Sequence, residues 1–118
     1  MQRSIRLRLN DIIRAIDGAE VTIEGVKFET FQFVYHMPRT VERSIEIISE
    51  ASRHIPQDLK DQYPDIPWHQ IAGIGNVLRH DYEIVDDHIT WDVAKGHFPR
   101  LRAAIVDMLA KLPEDGES

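Results

Sequence analysis

The chain has no cysteine, which excludes disulfides, thiolate metal sites and cysteine nucleophiles and fits a reducing compartment. It has no apolar run near the roughly 18 residues needed to cross a bilayer. Its start, Met1-Gln-Arg-Ser-Ile-Arg-Leu-Arg8, lacks the apolar centre of a signal peptide. These absences predict a cytoplasmic protein with no membrane segment. Positive charge is also short. At a net charge of −6 the chain is a poor candidate for loose, non-specific attraction to phosphate. Lysine is scarce, four residues against ten arginines, and the planar fork of arginine suits bidentate phosphate contacts in a local pocket better than an ammonium does. Repeats and low-complexity stretches are missing too. With 118 residues and 42% apolar content, the sequence predicts one helical domain over 1–112 and a polar tail over 113–118.

What is present is helical periodicity. Ile5, Leu9, Ile12, Ile13 and Ile16 recur on one helical face, with Ser4 as N-cap and Gly18 as stop. Residues 19 to 27, with β-branched Val21, Thr22 and Ile23, read as loop. Phe28 to His36 is aromatic-rich and predicts one or two helical turns ending before Pro38. Val41, Ile45, Ile48, Ser52 and Ile55 continue at helical spacing until Pro56. Gln57 to Tyr63 reads as one short turn, and Pro67 suits the first turn of the next helix. Asp86 or Asp87 can cap a helix carrying Ile89, Trp91 and Val93 that breaks near Gly96. Phe98, Leu101, Ile105, Met108, Leu109 and Leu112 then form an apolar face. The expected architecture is all-α, an antiparallel bundle of four to five main helices.

The densest chemistry lies in Gly73-Ile-Gly-Asn-Val-Leu-Arg-His-Asp-Tyr82. On a helix, Asn76 and His80 share a face, and Gly75 and Arg79 form the neighbouring stripe about 100° round. His80 is the candidate acid or base, since imidazole, with an unperturbed pKa of about 6.5, can both take and give a proton near neutrality. Arg79 could stabilise an anionic phosphorus transition state, Asn76 could orient the imidazole or a phosphate, and Tyr82 adds a phenol. Together these groups suit phosphodiester cleavage without metal or other cofactor.

Pro64-Asp-Ile-Pro-Trp68, Ile71-Ala-Gly-Ile-Gly-Asn-Val-Leu-Arg-His-Asp-Tyr82, Val85-Asp86 and Ile89-Thr-Trp91 resemble the HepT-like family of the HEPN superfamily. Glu42 to Ala51 and Leu59 to Tyr63 are similar as well, so the likeness spans nearly the whole chain. The resemblance implies a HEPN-like helical homodimer whose polar motifs share one cleft. It also implies an RNase toxin acting on RNA and paired with an MntA-like nucleotidyltransferase antitoxin that adds AMP to a tyrosine. The family motif is arginine, four residues, histidine, one residue, tyrosine. His80 and Tyr82 match its end, giving His80 the catalytic role and Tyr82 that of AMP acceptor. Gly75 stands where the family has arginine. Either Arg79 supplies the guanidinium, or the protein is a non-catalytic partner or scaffold of a nucleotidyltransferase.

Other patterns have competing readings. His80-Asp81 with His54 and Asp107 loosely fits an HD-type metal phosphohydrolase. Asp86, Asp87 and His88 could hold a cation, but capping and the helix dipole are the better explanation of aspartate there. Trp68 and Trp91 read as core or interface anchors. Arg39 and Arg43 could line an RNA path or pair with neighbouring glutamates. Gly73 and Gly75 read as sites of close helix packing.

Overall fold

The computed structural model describes residues 4–80 and 87–113 and, of Val77, Arg79 and His80, only the backbone. All described regular structure is helical: α1 (Ile5–Ile23), α2 (Phe28–Phe33), α3 (His36–Ser52), α4 (Gln57–Lys60), α5 (Trp68–His80), α6 (Asp87–Asp92), a π-helical turn (Val93–His97) and α7 (Phe98–Lys111). The bundle is built on four longer helices, α1, α3, α5 and α7. Leu9, Ile12 and Ile16 of α1, Phe31 of α2, Val41 of α3, and Ile105 and Met108 of α7 are fully buried in one core. Burial of each such side chain stabilises the fold by about 1.5–3 kcal/mol.

Ser4 caps α1 as expected, its Oγ accepting from the Leu7 N–H at 3.0 Å. The helix does not stop at Gly18, however, and the segment from residue 19 is not loop until Glu24. Ala19 and Ile23 fall on the buried stripe, and their packing outweighs the helix cost of a glycine and of β-branched residues. The turn comes at Gly25, which adopts a left-handed φ of 74°. Pro38 sits inside the first turn of α3 rather than after a gap, and α3 ends at Ser52, short of Ile55. Pro67 stands just ahead of α5, its carbonyl accepting from Ile71 N–H. There is no break at Gly96: α6 runs through the π turn into α7. The 114–118 part of the expected tail lies outside the described residues.

The pairings are antiparallel. Arg6 donates to the Pro113 carbonyl at 2.7 Å, while Asp17, further along α1, accepts from Arg102 at 2.8 Å and 3.1 Å, so α1 and α7 run in opposite directions. Ser49 touches Gly75 and Arg53 touches Ala72, so α3 and α5 do likewise. That second pairing decides where the polar segment sits.

Candidate functional site

Helix α5 is held at its start, its middle and its last turn. At the start, the Trp68 indole N–H donates to the carbonyls of Lys60 and Tyr63, 3.2 Å each. In the middle, the Ser49 hydroxyl donates to the Ala72 carbonyl at 2.9 Å and accepts from the Gly75 N–H at 3.2 Å. Arg53 adds two donors to the same Ala72 carbonyl, Nε at 3.2 Å and Nη2 at 2.8 Å. In the last turn, Leu78 is buried in the core.

Gly75 is therefore a packing position. A β-carbon there would stand 2.6 Å from Ser49 Oγ and 2.7 Å from Ser49 Cβ, closer than real contacts allow. Gly75 faces α3 so closely that a side chain there would have to displace Ser49. Gly73 differs from expectation. It is exposed, and a β-carbon there would meet nothing within 4 Å.

Of the predicted site residues, Asn76 is exposed on α5 one turn before its end. Arg79 and His80 occupy the last two positions of that helix. Tyr82 lies outside the described residues, as do Asp81 and Asp86. Because α3 and α5 are antiparallel, the end of α5 lies beside the first half of α3. That half carries an arginine–carboxylate row. Arg39 makes a two-point contact with Glu42, at 3.2 Å and 3.1 Å, and reaches Asp87 of α6 at 3.6 Å. Arg43 pairs with Glu46 at 3.2 Å. The hydrogen bonds that Arg39 donates to Glu42, ahead of the Coulomb attraction of Glu42 and Asp87, raise the Arg39 pKa and keep it cationic.

The other candidates are occupied elsewhere. His54 pairs with Glu50 at 3.2 Å on α3, and the Asp107 carboxylate of α7 accepts from the Tyr63 hydroxyl at 2.6 Å. Among the described residues no three His, Asp or Glu side chains converge as metal ligands. His88 stacks on Phe28 at a ring separation of 4.0 Å. Trp91 packs against Phe28 and Phe31, with Lys95 over its ring. Both tryptophans are half-buried against the core. An apolar cavity of about 130 Å³ opens between α3, α5 and α7, with Gln70, His97 and Arg100 as its polar members. It is smaller than the few hundred Å³ typical of organic-ligand sites.

Sequence reasoning missed Ser49 and Arg53, which set the seat of α5. Small residues on both helices were visible. Which of them meet depends on helix pairing.

A helical bundle of this order, with a polar segment closing its third long helix, defines a HEPN-like all-α domain. The family described as Ribonuclease HepT-like matches residues 12–108, and the chain belongs to that family. A Thermococcus cleftensis protein named "Probable ribonuclease HepT" is 37% identical over 102 residues, covering 86% of this chain and 93% of that one. A Caldanaerobacter subterraneus protein named "Putative RNase" is 32% identical over 103 residues, covering 87% and 92%. A Methanocaldococcus jannaschii protein named "Gamma-glutamylcyclotransferase and putative RNase" is 29% identical over 115 residues. This chain is matched over 98% of its length and covers 52% of that longer relative. No solved structure matches the chain. No helix among the described residues is long and apolar enough to cross a membrane.

Proposed function

We propose that the protein is a metal-independent endoribonuclease with His80 as acid/base, Arg79 as phosphate stabiliser and Asn76 as orienter. The observation that carries this reading is the match of residues 12–108 to a family described by ribonuclease activity. The Gly75–Ser49 contact leaves little room for a guanidinium at position 75, so Arg79 is the arginine of the segment. In the reaction, His80 removes the proton of an RNA 2′-hydroxyl. The 2′-oxygen bonds to phosphorus as the P–O5′ bond breaks, and the departing 5′-oxygen takes a proton from an imidazolium, His80 of the same or a second subunit. The products are a 2′,3′-cyclic phosphate and a 5′-hydroxyl. Arg79 stabilises the extra negative charge on the phosphoryl oxygens.

The same reading makes the protein a cytoplasmic toxin that works as a homodimer, with an MntA-like nucleotidyltransferase as antitoxin. AMP on Tyr82 would add bulk and negative charge beside the motif and repel RNA phosphate. Purified wild type should cut RNA in the presence of chelator, and His80→Ala should abolish both cutting and growth inhibition. Intact RNA after incubation with unmodified wild type ends the enzymatic reading.

The Gly75 contact also favours a second reading, a non-catalytic scaffold for the transferase, because this chain cannot carry the family arginine in its usual place. Incubation with the transferase and ATP separates the two. An AMP mass on Tyr82 supports the toxin circuit, whereas a stable complex without modification supports the scaffold.

A further inference from the structure

Among the described residues, the most exposed large aromatic side chains lie where α2 meets α3. Phe33 is 89% exposed and Tyr35 76% exposed, although Phe31 of the same short helix is fully buried. The two rings contribute little to the core. The corner is nevertheless well fixed: Phe28 and Phe31 lock α2 onto Trp91, with ring centroids 5.7 Å and 4.9 Å apart, and His88 stacks on Phe28. The Arg39 guanidinium lies over the Tyr35 ring, 5.1 Å from its centroid. One turn further along α3, the Arg43 side chain is 71% exposed.

The α3–α5 register relates this corner to the candidate site. From the Ser49–Gly75 contact, α3 toward its N-terminus and α5 toward its C-terminus run in the same direction. His80 is five residues beyond the contact, about 7.5 Å along α5, level with the Ser44–Arg43 turn of α3. Arg39 follows about 6 Å further on and Tyr35 about 12 Å further on. Asp87, at the start of α6, meets Arg39.

We infer that Phe33, Tyr35, Arg39 and Arg43 form a platform for single-stranded RNA, with bases stacking on the two rings and the arginines meeting phosphates on the stretch between those rings and His80. The inference rests on the ribonuclease reading of α5. A strand cut beside His80 must run on over adjoining surface, and this face offers it two guanidinium groups followed by two exposed rings. That is the combination by which single strands are held without base-specific contacts. Glu42, Glu46 and Asp87 already neutralise the arginines, so few counterions are released on binding. Stacking therefore dominates the affinity, and the salt dependence is shallow.

The test uses a short fluorescent single-stranded oligonucleotide with 2′-O-methyl riboses, which cannot be cut, read by anisotropy, alongside cleavage of ordinary RNA. Phe33→Ala/Tyr35→Ala should weaken binding about tenfold or more, since a lost stacked base costs that much. It should raise KM while leaving kcat near the wild-type value, and Tyr35→Phe should bind as wild type does. Both rings are exposed, so the variants should keep the helical circular dichroism of the parent. Unchanged oligonucleotide affinity in the double variant overturns the platform, and so does a wild type that binds no oligonucleotide. If the double variant binds RNA normally but loses a nucleotidyltransferase, the face is a protein-docking surface and the inference also fails. A wild type that cuts no RNA yet binds the oligonucleotide through these rings keeps the platform and removes the ribonuclease reading.

Discussion

Two glycines on helices show how the same residue type serves opposite ends. Gly18 lies in the interior of α1 with open space around it, so Gly18→Ala should stabilise the fold by about 0.5–1 kcal/mol, measured by urea unfolding. Gly75→Ala gains the same helix preference but drives a methyl group into Ser49. Overpacking of this kind costs about 1–3 kcal/mol, so the same assay should show a net loss. Gly75→Arg should lose more and should create no new cleavage, because the side chain would have to displace α3 rather than enter a cleft. Expectation and structure agree on close packing at Gly75 and part company at Gly73. Two small residues two positions apart look alike in a sequence, and only the seat of α5 on α3 tells them apart.

Helices α1, α3 and α7 announce themselves through apolar spacing, and their buried faces are close to those expected. Their ends are less legible. α1 continues past Gly18 because Ala19 and Ile23 find core partners, and the α6–α7 rod stays helical at Gly96 by taking a π turn, a local widening that absorbs one extra residue. α2 has only six residues, too few to be helical alone, and depends on its aromatic contacts. Phe31→Ala should therefore cost about 3–5 kcal/mol. It should also remove amide exchange protection across Phe28–Phe33 before the rest of the bundle opens. Protection in α2 matching that of α1 in this variant would show that other contacts hold the segment.

Across the whole molecule, the Asp17–Arg102 pair ties α1 to α7, and paired carboxylates set the response to acid. The hydrogen bond from Arg102 holds the Asp17 carboxyl below its ordinary range. Asp107 is lowered by the Tyr63 hydroxyl and then by Lys111, and Glu50 by His54 and then by Arg53. A carboxylate whose folded pKa lies below its unfolded one stabilises the fold fully above the unfolded value of about 4. That contribution is lost as pH falls through the folded value. Unfolding midpoints should thus be level with respect to these groups above about pH 5 and drop below about pH 4. In Asp17→Asn the drop should be smaller, because one of the linked protons is gone. An unchanged acid limb in that variant would show that the Asp17–Arg102 pair, both of whose side chains are partly exposed, contributes nothing measurable.

The order of residues alone determined that the protein is helical, which faces of α1, α3 and α7 are buried, and that an amide, a guanidinium, an imidazole and a phenol crowd between Gly73 and Tyr82. Periodicity is a local property, and so is the company a histidine keeps in the chain. The tertiary structure decided that position 75 belongs to a helix seam, that Ser49 and Arg53 hold it there, and that the exposed rings of Phe33 and Tyr35 share one end of the bundle with His80. Each of those facts depends on the antiparallel register of α3 against α5. That register is set by which small surfaces can approach closely, which linear spacing does not encode.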